Sequence, residues 1–214
     1  MDFDFWDNCW HRDSQPFHVT SEHPLLAKHL DRFDPDEKLL LPLSGKSVDP
    51  IFLAQHQIYS TAVEFNPKAV EAFIKENKLA PKKSETDNGV QFQLANFEVW
   101  LADFFALTSE EIGLFSQVFD RAALVALPED LRQRYAKHLA SMLKPQAKIF
   151  MVTMDYDPEQ MDGPPFHINQ SQLQTYFPSA EIVEIDRHSL INNHPRWKEL
   201  ELSFLDEVLY QINL

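Results

Sequence analysis

The sequence predicts an α/β fold built on a doubly wound, mostly parallel sheet with an antiparallel edge strand. Three observations carry that expectation. Short apolar runs alternate with amphipathic segments along most of the chain, the pattern of strands joined by crossover helices. The first such run, residues 38–43 (KLLLPL), shows no polar alternation, as in a strand buried on both faces. The chain then finishes in two alternating stretches, AEIVEIDR and ELELSFLDEVLYQI, which read as an antiparallel pair.

Taken in order, residues 24–33 form a short amphipathic helix ahead of the first strand, and a helix over 49–56 leads to a second strand at 58–64 (IYSTAVE). Asn66 followed by Pro67 marks the next helix start, because Asn caps free amides and Pro at the first helical position forfeits no bond. That helix runs to about residue 77, and the polar stretch 80–88 (APKKSETDN) reads as an exposed loop. Residues 97–102 and 117–120 are the third and fourth strands, separated by a capping box at Thr108-Ser109-Glu110-Glu111. In 128–143, Leu131, Tyr135, Leu139 and Leu143 recur every four residues and line one helix face. A fifth strand at 147–153 and a helix at 170–177 precede the alternating pair.

With 214 residues, 44% hydrophobic and 24% charged, the chain is expected to form one globular domain over 1–214. Its net charge of −14 repels a phosphate backbone and argues against nucleic acid as a partner. The acidic N-terminal segment and the absence of any long apolar run argue against secretion and membrane insertion, leaving the cytoplasm as the expected location. One cysteine, Cys9, excludes an internal disulfide. The scattered histidines, without His-x-x-x-His or His-Glu-x-x-His spacing, predict no metal. A Gly-x-Ser-x-Gly nucleophile elbow is also missing. Nothing in the chain demands more than a monomer.

In a doubly wound sheet, ligands sit outside the carboxyl ends of the strands. The residues there are Leu43-Ser44-Gly45-Lys46 after the first strand, Glu64 after the second, Asp103 after the third and Asp120-Arg121 after the fourth. Glu64 follows Gly45 by 19 residues, a spacing at which a carboxylate can accept both hydroxyls of a ribose. Asp103 could take the amino group of an adenine. Gly45-Lys46-Ser47 resembles the tail of a P-loop, but the glycine that the phosphate cradle requires is Leu40 here. Only four glycines occur in the whole chain, so a nucleotide-like ligand must be bound around one of them and without a phosphate cradle. The aromatic cluster Phe3, Phe5, Trp6, Trp10 and Phe17 reads either as packing of an N-terminal extension or as a lid whose Trp faces suit a sulfonium cation.

These residues resemble the thiopurine S-methyltransferases, particularly the bacterial ones. The resemblance runs from Phe5-Trp6-x-x-x-Trp10 and Phe17-His18 through His23-Pro24-Leu25-Leu26, Leu41-Pro42-Leu43-x-Gly45-Lys46-Ser47 and Val63-Glu64. It is most specific at Asp103-Phe104-Phe105-Ala106-Leu107 and across 120–128 (DRAALVALP), then at Asp155-Tyr156, Gly163-Pro164-Pro165-Phe166, Pro195-Arg196 and Glu207-Val208-Leu209-Tyr210. It implies a class I S-adenosylmethionine-dependent methyltransferase with a Rossmann-like, seven-stranded sheet, residues 1–36 forming the N-terminal lid. S-adenosyl-L-methionine is the implied cofactor, contacted by Trp10 with Trp6 beside it, Leu43, Gly45, Glu64, Asp103, Phe104 and Arg121. Glu64 would hold the ribose and Asp103-Phe104 the adenine. Phe17, Arg121 and Arg196 would face the small-molecule acceptor, with Arg121 favouring an anionic thiolate as the one catalytic group.

The chain departs from that pattern at several points. Ser44 stands where the family has Cys, Gln57-Ile58 where it has Gly-His, and Ala62 and Ala102 where it has Gly. Leu200-Glu201-Leu202 stands for Arg-Gly-Leu. If that arginine holds an anionic acceptor, the acceptor here differs from a thiopurine. Two function classes follow: methyl transfer to sulfur, selenium or tellurium in a small acceptor, or cofactor binding without turnover, as in a sensor or interaction module.

Overall fold

The computed structural model describes residues 3–12, 18–192 and 195–214. The chain divides into two compact units, Met1–Gln117 and Val118–Leu214.

The first unit contains helices α1 (Phe3–Trp10), α2 (Pro24–Lys28), α3 (Asp49–Gln55), α4 (Pro67–Glu76) and α5 (Ser109–Ile112). Its strands β1 (Leu39–Leu41), β2 (Ser60–Glu64), β3 (Lys82–Thr86), β4 (Gly89–Gln93) and β5 (Phe97–Ala102) lie in the order β3-β4-β5-β2-β1. β1 and β2 are buried along their whole length, as the missing polar alternation predicts for β1, while β2 buries the polar Ser60, Thr61 and Glu64 as well. They run parallel with Leu41 opposite Ala62, and β2 runs parallel to β5 with Glu64 opposite Leu101. The α4 start is as expected: the Asn66 side-chain oxygen accepts from the amides of Lys68 (2.9 Å) and Ala69 (3.4 Å). At the α5 start, Glu111 reaches back to the Thr108 amide at 2.9 Å, as in a capping box.

The stretch expected to be a loop at 80–88 is instead mostly strand β3, which pairs antiparallel with β4, and β4 pairs antiparallel with β5. β3 carries almost no apolar side chain to reveal it. Its Lys and Glu residues stay exposed, as suits a sheet edge that must not recruit another strand. Gly89 lets β4 approach β5 closely, since a Cβ there would lie 2.5 Å from the Leu101 carbonyl oxygen.

β6 (Phe115–Arg121) begins in the first unit and ends in the second. The second unit continues with α6 (Glu129–Ser141), β7 (Leu143–Tyr156), α7 (Gln170–Tyr176), β8 (Glu181–Ser189), α8 (Pro195–Glu199) and β9 (Leu205–Asn213), its strands ordered β6-β7-β9-β8. β9 is antiparallel to both neighbours, and a register shift between Glu184 and Asp186 bends the edge strand β8. Arg187 ties the three strands together, donating to Asp155 (2.7 Å), Glu184 (2.9 Å) and Asp206 (3.0 Å). Asp155 thereby serves the sheet, and the Tyr156 hydroxyl donates to the Pro165 carbonyl at 2.8 Å, fastening the Gly163–Phe166 loop.

The described residues thus hold nine strands, where seven were expected, with antiparallel pairs in each of the two units rather than in one place. The two extra strands are the β3–β4 hairpin. The alternating stretch expected to form the last strand also begins later, because α8 and a turn with Glu201 at φ +49° occupy its start.

Candidate functional site

The parallel strands β1, β2 and β5 end side by side, and their carboxyl ends carry most of the residues singled out from the sequence. After β1, Leu43 (φ +48°) and Gly45 (φ +58°) both adopt left-handed backbone. A branched side chain rarely accepts that conformation, so the turn is held by its surroundings. The Ser44 amide donates to the Val63 carbonyl at 2.9 Å, and the Ser47 amide to the Ser44 carbonyl at 3.1 Å. The Ser44 hydroxyl adds a longer contact to the same Val63 carbonyl, at 3.5 Å.

Glu64 ends β2 and is only 3% exposed. One carboxylate oxygen accepts from the Gly45 amide at 2.8 Å and the other from the Asn66 amide at 2.7 Å. Burial pushes its pKa up, to about 7, while the amides of Asn66, Gly45 and Phe65 pull it part of the way back. A carboxylate has about four acceptor positions, so these three amides leave acceptor capacity for a further donor. That is the chemistry a cis-diol such as a ribose needs.

Gly45 also lies beneath α1. A Cβ at that position would meet two ring carbons of Trp10 at 3.1 and 3.2 Å. Trp10, Gly45 and Glu64 are therefore contiguous, with Leu43 two residues away along the turn. Trp6 lies one helical turn before Trp10 and packs edge-on against Phe5, with ring centroids 5.2 Å apart. Gly45→Ala combines left-handed strain with that contact. It is expected to lower stability by about 1–3 kcal/mol and to displace the Trp10 ring. Thermal melts and tryptophan fluorescence check this, and unchanged values in both would contradict the contact.

Asp103 follows β5, two residues past the partner of Glu64 in the β2–β5 register. It is exposed, and its carboxylate accepts from the Phe105 amide at 3.0 Å, while Phe104 beside it is fully buried. Asp120, one residue before Arg121, is a different kind of acid. It accepts from the Tyr135 hydroxyl at 2.7 Å and from the amides of Ala123 (3.1 Å) and Leu124 (3.3 Å). Burial raises its pKa to about 6. Asp120 holds the turn that follows β6, where Ala122 has φ +68°.

Arg121 ends β6 and belongs to the second unit. Phe17 and the side chain of Arg196, a residue of α8, lie outside the described residues. Leu200 is 39% exposed in the turn before β9, while Leu202 is buried with Met154, Tyr156 and Leu205. Sequence reasoning passed over Asn66 as more than a helix cap, and passed over Asp7 altogether. Asn66 supplies an amide to Glu64, and its side chain reaches Asp7 across 59 residues of sequence, which no local pattern signals. Among the described residues no group of His, Cys, Asp and Glu could hold a metal ion, and no helix is long and apolar enough to cross a membrane.

The chain matches the Thiopurine S-methyltransferase (TPMT) family over residues 1–214. It is 36% identical over 215 aligned residues to a protein of Bordetella petrii named thiopurine S-methyltransferase, covering 99% of this chain and 98% of the relative. Among solved structures, it resembles a SAM-dependent methyltransferase of Anabaena variabilis, with a TM-score of 0.68 and 15% identity, over 99% of this chain and 94% of the other. It also resembles the N-methyltransferase NodS of Bradyrhizobium japonicum in complex with S-adenosyl-L-homocysteine, with a TM-score of 0.63 and 13% identity, over 99% and 97% of the two chains.

Proposed function

We infer that this chain, which belongs to the thiopurine S-methyltransferase family, methylates the sulfur of a small thiol, or a related selenium or tellurium species. It is an S-adenosyl-L-methionine-dependent methyltransferase of the class I fold. The observation that best supports the cofactor side is Glu64: a buried carboxylate held by backbone amides at the end of β2, with acceptor capacity remaining.

Bound S-adenosylmethionine supplies an electrophilic methyl group on a sulfonium centre, so the protein needs to provide alignment and a dry site rather than a strong base. Glu64 accepts the two ribose hydroxyls. Leu43 and Gly45 offer backbone to the cofactor, and the faces of Trp10 and Trp6 cover the cation. Asp103 and Phe104 take the adenine. Arg121 holds the acceptor as its thiolate, the form that attacks, by favouring its negative charge. Phe17 and Arg196 bound the acceptor. The whole chain acts as one cytoplasmic, monomeric methyltransferase domain with residues 1–36 as its lid, and neither membrane nor nucleic acid takes part.

The test is incubation with labelled S-adenosylmethionine and a panel of aryl thiols, thiopurines and chalcogen oxyanions. Methyl transfer to at least one member of the panel is expected. Binding of S-adenosylhomocysteine without transfer to any of them would replace this reading with that of a cofactor-binding sensor. No binding of S-adenosylhomocysteine would overturn both.

A further inference from the structure

Two of the amides that hold Glu64 belong to Gly45 and Asn66, and helix α1 is fastened to the same two residues. Trp10 rests on Gly45, whose missing Cβ leaves room for the ring. Three residues earlier, on the same face of the helix, Asp7 accepts a hydrogen bond from the Asn66 side-chain amide at 3.0 Å. The orientation of that amide is dictated by α4. The Asn66 oxygen must face the Lys68 and Ala69 amides it caps, so its NH2 group can only point outward, toward Asp7. Asp7 is fixed in turn by His11, whose Nδ1 lies 2.7 Å from the Asp7 carbonyl oxygen and 3.3 Å from the second carboxylate oxygen.

We propose that Asn66 and Asp7 form a latch that registers helix α1 over the Glu64 carboxylate, and that Asp7 is a positioning residue setting how long the cofactor is held. Asn66 is fully buried and joins three structures through one side chain and one amide: the α4 cap, Glu64 and the lid helix. A cofactor whose ribose sits on Glu64 leaves only after α1 lifts, and α1 lifts only when the Asp7–Asn66 bond opens. The same opening must precede entry, so the bond slows association and dissociation alike and leaves the methyl-transfer step alone.

The inference rests on Glu64 as the ribose acceptor. The experiment is stopped-flow displacement of S-adenosylhomocysteine from the full chain, comparing wild type with Asp7→Ala and Asp7→Asn. Asp7→Ala is expected to dissociate roughly tenfold faster, as for a lost hydrogen bond to a charged group, and to associate faster as well. Asp7→Asn keeps an acceptor for Asn66 and is expected to stay within about twofold of wild type. Hydrogen–deuterium exchange over residues 3–12 should show that the ligand protects the helix in wild type and Asp7→Asn but not in Asp7→Ala. A role confined to stability would shift the melting temperature of Asp7→Ala without changing its dissociation rate, and that result overturns the latch. Equal acceleration in Asp7→Ala and Asp7→Asn overturns it too. Wild type that fails to bind S-adenosylhomocysteine instead sinks the ribose reading of Glu64, and the latch with it.

Discussion

Glu64→Ala is expected to weaken binding of S-adenosylhomocysteine by about 1–3 kcal/mol, the penalty for removing a charged partner from buried hydroxyl donors. The measurement is titration calorimetry at pH 8, where the wild-type carboxylate is mostly ionised given its pKa of about 7. The substitution also strips the Gly45 and Asn66 amides of their acceptor, so part of the loss could come through a loosened turn. Glu64→Gln separates the two effects. An amide oxygen can still accept from one of those amides, but its NH2 group then faces the other, donor against donor. If Glu64 served only to shape the turn, Ala and Gln would damage the fold without selectively lowering affinity, and circular dichroism would register it. Affinity equal to wild type in a folded Glu64→Ala protein would refute the ribose role.

The contrast between Glu64 and Asp120 shows how far the sequence carries. Both are acids at strand ends, and both are fully buried with pKa values raised mainly by burial. Nothing in the local sequence separates them. The structure does, because the Tyr135 hydroxyl and the Ala123 and Leu124 amides converge on Asp120, whereas Glu64 is held by backbone amides, from Gly45 after β1 and from Asn66 after β2. β1 and the Asn66 cap were legible because their signals are local: an unbroken apolar run, and a capping side chain beside a proline. The β3–β4 hairpin was not, because β3 is stabilised by backbone pairing with β4 rather than by apolar side chains of its own. The Asp7–Asn66 bond was invisible for a similar reason. It exists only once the fold brings α1 to the end of β2.

The titration of Glu64 should couple folding, binding and pH. Its folded pKa, about 7, stands above the ordinary carboxylate value of 4.5. Between those two values the folded protein holds a proton that the unfolded chain has released, so stability falls as pH rises. The contribution is fully present below the unfolded pKa and is lost as pH passes through the folded one. Asp120, raised from 3.8 to about 6, acts in the same direction over a lower window. From pH 5 to pH 8 the Glu64 contribution amounts to about 2–3 kcal/mol. Denaturant melts of Glu64→Gln, which cannot titrate, are expected to flatten the pH dependence of stability by that amount, whatever the absolute stability of the variant. Binding has the opposite sign, because ribose hydroxyls donate to the ionised carboxylate. The ionised fraction of a group with a pKa near 7 rises about tenfold between pH 6 and pH 8. Affinity for S-adenosylhomocysteine should rise by a similar factor, with a proton released on binding that calorimetry in buffers of different ionisation enthalpy detects. Glu64→Gln should show neither effect. Parallel pH profiles for wild type and variant, in both stability and affinity, would mean that this carboxylate titrates outside the window and that its burial costs less than the surrounding structure indicates.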